Sequence, residues 1–235
     1  MENNNIYHGF RFPGEIISHA VWLYHRFTLS FRDVEELLAS RGIEVTYESI
    51  RQWCRYFGQD YARKVRAKQT RFGDTWHLDE VFIKIKGKLH YLWRAVDQDG
   101  DTLDILVQSR KDTNAARKFF RKLLKGQQYS PNIIVTDKLK SYGAAHREMG
   151  LSALHVTKQY QNNRAENSHQ RTRQQERQMR RFKSAGHAQR FLAVHAAVNN
   201  LSRQDRHLMT ARNYRELRNH GFAEWDYVSG VVRQN

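Results

Sequence analysis

Two carboxylates interrupt otherwise apolar runs in this chain. One lies in Trp76-His77-Leu78-Asp79-Glu80-Val81, and the other closes Ile133-Ile134-Val135-Thr136-Asp137. A third acid, Glu166 in Asn163-Arg164-Ala165-Glu166-Asn167, opens a strongly basic stretch. An acid held in an apolar or cationic setting is costly unless something binds it. Brought together at about 4 Å, with an effective dielectric of about 20, each pair of carboxylates repels by roughly 4 kcal/mol. Divalent metal ions reverse that sign, which is how a two-metal phosphoryl-transfer site is assembled. Any fold for this chain must keep these segments apart or let them converge on cations.

Charge narrows the partners. The 235 residues carry a formal net charge of +16 and a pI near 10.1, a balance that favours a polyanion, with nucleic acid foremost. Some 40% of residues are apolar, enough for a large domain and a small one. Cys54 is the single cysteine, which excludes an internal disulfide and a cysteine-based zinc site and fits a reducing cytoplasm. No apolar run approaches the roughly 18 residues of a membrane span, and the polar start Met1-Glu2-Asn3-Asn4-Asn5 lacks a signal-peptide core.

The periodicity of residues 13–58 predicts three helices. Ile16, Ile17, Ala20, Val21, Tyr24 and Phe27 follow helical spacing after Pro13. Ser30 is placed to cap a second helix, with Asp33 in its first turn and Arg41-Gly42 at its end. A third helix follows Thr46, with Ile50, Trp53 and Phe57 inward and Tyr47, Glu48, Arg51, Gln52 and Arg55 outward. Two short helices around a glycine turn match a helix-turn-helix, and the outward side chains are of the types that touch base edges and phosphates.

From Thr75 the period drops to two. Val81, Ile83 and Ile85 share a face with Asp79, Gly87 marks a turn, His90 to Val96 reads as a second strand and Leu103 to Gln108 as a third. Asp97, Asp99 and Asp101 look like metal ligands on paper, but a turn between strands explains them better. A helix beginning at Asp112 or Thr113 carries Ala115, Ala116, Phe119, Phe120, Leu123 and Leu124 on one side. Then come a buried strand over 133–135, a short helix over 141–149, a fifth strand over 154–157, a long basic helix over 162–182 and an apolar helix over 185–202. Three strands, helix, strand, helix, strand, helix is the order of a ribonuclease-H-like fold, an α/β class with a mixed five-stranded sheet. In that fold the first and fourth strands are neighbours, so Asp79 and Asp137 meet. Alternation sends Glu80 to the opposite strand face from Asp79, which excludes it as a ligand. His77 shares the face of Asp79.

With its motifs in order, the chain resembles DDE transposases of insertion sequences, and more narrowly the IS6 family with its IS26-like members. The resemblance rests on Trp76-His77-Leu78-Asp79-Glu80, on Thr136-Asp137-Lys138 with Ser141-Tyr142-Gly143, on Asn162-Asn163-Arg164-Ala165-Glu166-Asn167, and on the preceding helix-turn-helix. It implies that Asp79, Asp137 and Glu166 are the catalytic acids and bind two Mg²⁺ or Mn²⁺ ions. It implies 3′-end cleavage at the terminal inverted repeats and strand transfer into target double-stranded DNA, by a cytoplasmic, nucleoid-associated protein that self-associates as a dimer or larger assembly on DNA. Only 28 residues lie between Asp137 and Glu166, a shorter spacer than in many members of the family. Glu148 comes too early to replace Glu166, and Glu176 lacks the Asn-Asn-Arg context.

DNA contacts are expected from Tyr47, Arg51, Gln52 and Arg55 on the third helix. Lys138 is expected to add to them beside Asp137. Further contacts are expected from Arg164, His169, Arg173 and Arg177 along the basic helix, where Glu166, His169, Arg173 and Arg177 share a face. The expected organisation is a helix-turn-helix domain over 1–58, a basic linker over 59–74, a catalytic domain over 75–203 and a tail over 204–235. Two alternatives compete: a decayed transposase that only binds DNA, and a ribonuclease-H-like nuclease.

Overall fold

Glycine and aspartate punctuate the apolar runs after residue 74, and the computed structural model of the protein pairs those runs as the punctuation demands. It describes residues 6–27, 29–68, 72–157, 182–201 and 209–231. The chain divides into two compact units, residues 1–69 with 197–235 and residues 70–196.

The larger unit is built on β1 (Thr75–Ile85), β2 (Lys88–Asp97) and β3 (Thr102–Gln108), paired antiparallel in sequence. Lys86 and Gly87 both take positive φ, 50° and 77°, as a tight turn between twisted strands requires. At the next turn Asp97 Oδ1 accepts the N–H groups of Asp99 and Asp101 at 3.0 and 2.8 Å. This is the turn expected of that acidic run.

A strand parallel to β1 needs a crossover, and α4 (Thr113–Gln127) supplies it, capped by Asp112, whose carboxylate accepts the Ala115 N–H at 2.8 Å. The chain returns as β4 (Ile133–Thr136), continues through α5 (Lys140–Glu148) and adds β5 (Leu154–Val156). The sheet order is β3-β2-β1-β4-β5, with β4 parallel to β1 and β5 parallel to β4. This is the mixed ribonuclease-H-like sheet expected from the element order. Trp76, Leu78 and Trp93 project from one face onto Ala116, Phe119, Phe120 and Leu123 of α4 and Tyr142 and Ala145 of α5. After Phe182, which bridges to Ile85, α6 (Ala185–Leu201) starts beside β3. There Gln189 accepts the Val107 N–H at 2.8 Å and donates to the Ile105 carbonyl at 3.2 Å.

The smaller unit contains α1 (Gly14–Arg26), α2 (Phe31–Ala39) and α3 (Tyr47–Lys68). Ser30 caps α2 in a reciprocal box with Asp33, and Gly42 takes φ 74° after the helix. Residues 59–68, expected as part of a linker, are helical. Tyr61, Ala62 and Val65 continue the buried stripe of Ile50, Trp53 and Phe57, so the basic residues of this stretch are the outer face of one long helix.

The C-terminal stretch that carried no clear sequence signal forms α7 (Ala211–Ser229), which packs on α1 and α3. Trp225 is its anchor. It is 3% exposed, meets the Tyr61 ring edge-on at 5.2 Å and donates its Nε1–H to the Ser18 carbonyl at 3.3 Å. The Tyr7 hydroxyl joins the Tyr61 hydroxyl at 2.6 Å and donates to the Ser229 carbonyl at 2.5 Å. No helix among the described residues is long and apolar enough to cross a membrane.

Trp225→Ala removes a filled aromatic site, and the expected loss is about 3–5 kcal/mol. Urea unfolding followed by far-UV circular dichroism reads it. A loss below about 1 kcal/mol would mean that α7 does not help hold α1 and α3.

Candidate active site

The last cross-strand pair between β1 and β4 is Leu78 with Thr136. Asp79 stands one residue beyond it on β1, and Asp137 leaves the end of β4. Asp137 does not trail away, because its Oδ1 accepts the Leu139 N–H at 2.9 Å and turns the chain into α5. Behind it, Thr136 Oγ1 donates to the Asp137 carbonyl at 2.8 Å and meets His155 Nε2 at 2.9 Å. The single hydroxyl hydrogen is already used, so His155 Nε2 carries the proton of that second bond. Burial lowers the His155 pKa, with the charges of His146 and Arg147 adding to it, so the imidazole stays neutral.

Asp79, Glu80 and Asp137 each place a carboxylate oxygen within 4.8 Å of the other two. Glu80, set aside as a ligand because alternation turns it to the other face, nonetheless brings a carboxylate oxygen to this cluster. Glu80 does share the α4 face with Trp76 and Leu78. β4 ends before this level, however, so the edge of β1 is open here and a carboxylate from either face can turn toward Asp137.

Two cations near this cluster were also missed in the sequence. Lys111, in the loop before α4, forms an ion pair with Glu80, whose side chain is only 1% exposed. Burial works to lower the Lys111 pKa, but the carboxylates of Glu80, Asp137 and Asp79 hold it above the ordinary lysine range. Arg94 is the cross-strand partner of Asp79, is buried, and donates from Nη2 to Thr102 Oγ1 at 2.7 Å. The signal for Arg94 was present, since a lone cation in Trp93-Arg94-Ala95-Val96 is as costly as the acid opposite it. Lys111 gave none, because a loop lysine is ordinarily solvated.

Glu80 is the perturbed member. Burial drives its carboxyl up to about 7; the Lys111 ammonium opposes that shift and the charge on Asp137 reinforces it. Burial, with the Glu80 charge next, also raises the Tyr142 phenol well above its ordinary value.

Other predicted site residues are distributed as follows. Tyr47, Arg51, Gln52 and Arg55 are exposed on α3. Arg51 is tied to Glu48 through Nε at 2.8 Å, and the Tyr47 N–H donates to Glu35 of α2 at 2.9 Å. Lys138 is exposed beside Asp137, and His77 is buried on the face of Asp79. Arg164, Glu166, His169, Arg173 and Arg177 lie outside the described residues.

Known proteins match this arrangement. The model of the DDE domain of IS240-type transposases matches residues 73–205. The chain belongs to the IS6 family of DDE transposases. The transposase of the insertion sequence-like element IS431mec of Staphylococcus aureus (strain Mu50 / ATCC 700699) is 34% identical over 165 residues, 68% of this chain and 73% of that protein. The transposase of IS257 in transposon Tn4003 of Staphylococcus aureus is 33% identical over the same length and the same shares. Among solved structures, the magnesium-bound HTLV-2 integrase catalytic core in its trimeric form aligns with a TM-score of 0.41 at 13% identity. That alignment covers 61% of this chain and 94% of the integrase core. This IS6-family chain is thus a DNA transposase, a polynucleotidyl transferase.

Glu80 gives this transposase a defined pH response. Its folded pKa, about 7, is above the ordinary 4.5, so the folded state binds the proton more tightly. The contribution of Glu80 to stability is therefore fully present below about pH 4.5 and is lost as pH rises through 7. Glu80→Gln, measured by urea unfolding in EDTA, is expected to gain on the order of 1–3 kcal/mol over wild type at pH 8, with the gap closing at pH 5. A gap independent of pH would remove Glu80 as its source.

Proposed function

We propose that Asp79, Asp137 and Glu166 together hold two divalent ions, Mg²⁺ or Mn²⁺. On this reading the transposase hydrolyses DNA at the 3′ ends of its element and joins those ends to target DNA. The observation that carries the proposal is the convergence of the Asp79 and Asp137 carboxylates at the open end of the β1–β4 pair. Hard carboxylate oxygens suit these metals. When bound, the ions supply Lewis-acid stabilisation of the charge that builds on the attacked phosphoryl group and the leaving oxygen.

The protein's own part is positioning. β1 and β4 fix two acids before DNA arrives, so little reorganisation is left for the reaction itself. Lys138, Arg164, His169, Arg173 and Arg177 hold phosphates around the scissile bond. First a P–O bond breaks to water and frees a 3′-OH at the element end. That 3′-OH then attacks a target phosphodiester, and the target's own 3′ oxygen leaves. Residues 1–58 read the terminal inverted repeats through Tyr47, Arg51, Gln52 and Arg55. Two ends must be held together, so the working form is at least a dimer on DNA, in the nucleoid-bearing cytoplasm.

Glu80 supports a second reading, in which it takes the place of Glu166, because it is the third carboxylate of the described cluster. Its pairing with Lys111 and its raised pKa weigh against a ligand role, since a ligand must be ionised.

Asp79→Asn, Asp137→Asn and Glu166→Gln are each expected to lower cleavage and joining by at least about 10³-fold. Duplex affinity should change less than twofold. The assay pairs labelled DNA carrying the element's end with a target plasmid in Mg²⁺. Full joining by Glu166→Gln together with loss by Glu80→Gln would establish the second reading.

Lys111→Met deletes the cation paired beside the cluster. Mn²⁺ affinity, read by calorimetry, is expected to rise roughly tenfold, about 1.4 kcal/mol. Unchanged affinity would mean that Lys111 does not compete with metal.

A further inference from the structure

The helix α4 carries five cations, Arg117, Lys118, Arg121, Lys122 and Lys125, and no acid. A helix built only for stability would alternate signs, because like charges three or four residues apart repel. Lys122 is answered by Asp104 of β3 and Arg117 by Glu148 of α5 at 3.2 Å. Lys118 and Arg121 are exposed and form no ion pair with a described residue, and Arg110 just before the helix is the same. These three, with Arg117, line a cavity of about 420 Å³ at the junction of β3 and α4.

The rest of the lining does not neutralise them. Asp112 contributes the acid there, and its Oδ1 is occupied by the Ala115 N–H as the helix cap. Gln108 donates to the Ala115 carbonyl at 2.8 Å, which fixes the floor of the cavity to the helix. The fold thus holds a cationic concavity at an energetic disadvantage that an anion would relieve.

Its position suggests which anion. Lys111, between Arg110 and Asp112, turns away from the cavity to pair with Glu80 of the acid cluster. The segment 110–112 therefore borders the cavity through Arg110 and Asp112 and reaches the acid cluster through Lys111. We propose that this cavity binds the phosphodiester backbone of duplex DNA, with cations other than those expected to do so on α3 and among residues 164–177. The choice of DNA as the polyanion rests on the transposase assignment. The site itself rests on the charge and shape of α4 and its preceding loop. The duplex has two sources, the element's own end or the target, and the chemistry of recognition is the same for both.

The test uses the full chain in EDTA, so that it does not depend on the acids or on turnover. Fluorescence anisotropy measures binding of two labelled duplexes, one carrying the element's end and one of unrelated sequence, from 50 to 300 mM salt. The triple substitution R110Q/K118Q/R121Q is compared with K84Q/K86Q/K88Q, which removes the same charge from exposed positions on the β1–β2 hairpin. Each lost phosphate contact reduces the slope of log affinity against log salt by about 0.9. The cavity variant is expected to lose about 2–3 in slope, and the hairpin variant less than about 1. A loss of similar size on both duplexes assigns the cavity to backbone contact open to any duplex, target DNA included; a loss on the end duplex alone assigns it to the element's own DNA. Equal losses in the two variants, or none in the cavity variant, overturn the proposal. Thermal melting provides a second readout: relief of like-charge repulsion should leave the cavity variant melting at or above wild type. A lower melting temperature would mean that these cations serve the fold, which also overturns the proposal.

Discussion

The parallel pairing of β1 with β4 is the contact on which the site depends. It runs for four residues and stops at Leu78 and Thr136. Had it run two residues further, backbone would flank Asp79 and Glu80 on that side, and Asp137 would lie inside a strand. Ending where it does, it leaves a notch in the sheet with an acid on each wall. The helix α4 makes this geometry possible, since parallel neighbours need a long crossover. The same helix fills the core beneath Trp76, Leu78 and Trp93. Core packing and acid placement therefore have one cause and cannot be adjusted separately.

Gathering the acids is expensive before any metal binds. At 4.8 Å and an effective dielectric of about 20, each ionised pair repels by roughly 3.5 kcal/mol. The fold offsets this in three ways. Lys111 sets a cation against Glu80, and Arg94 faces Asp79 across the β1–β2 ladder. Glu80 also holds its proton to about pH 7, which removes part of its charge at neutral pH. Two adjacent acids in β1 thus take different environments. Asp79 is set opposite an arginine, and Glu80 is buried under α4 and α5 with a lysine and the Tyr142 hydroxyl. Sequence adjacency conceals that division of labour, which is decided by the two faces of one strand.

Much of this was legible in the chain because its signals are local. The three strands, the helix capped by Asp112, the strand ending in Asp137 and the helix from Ala185 all follow from period, caps and turn residues, and the strand order follows from their sequence. What escaped was set by tertiary context. Residues 59–68 read as a connector because five basic residues between 63 and 71 outweigh the buried Tyr61, Ala62 and Val65. The helix α7 is mostly exposed and polar, and Trp225 and Val228 gain meaning only against α1 and α3. Glu80 was set aside as a ligand by strand alternation; it does take the other face, but at the open edge of β1 its carboxylate still reaches the cluster. The pairing of Lys111 depends on where a loop passes, and no pattern in the sequence encodes that.

The positive charge of the chain divides by what answers it. On α3, Arg51 is held by Glu48 and Lys64 by Asp60, so part of that surface is internally balanced. Around the acids, Lys111 and Arg94 are bound within the fold. Along α4, by contrast, Lys118 and Arg121 have no ion-pair partner among the described residues, although the helix had every opportunity to carry acids at its exposed positions. Stability alone favours mixed signs there. A one-sign surface beside a cluster of opposite sign produces a field that changes direction between them. A polyanion is drawn to the cationic side and kept from the acids until cations occupy them. On the proposed function, that ordering follows from the charges themselves: metal on the acids and DNA on the neighbouring cations would each lower the repulsion that opposes the other.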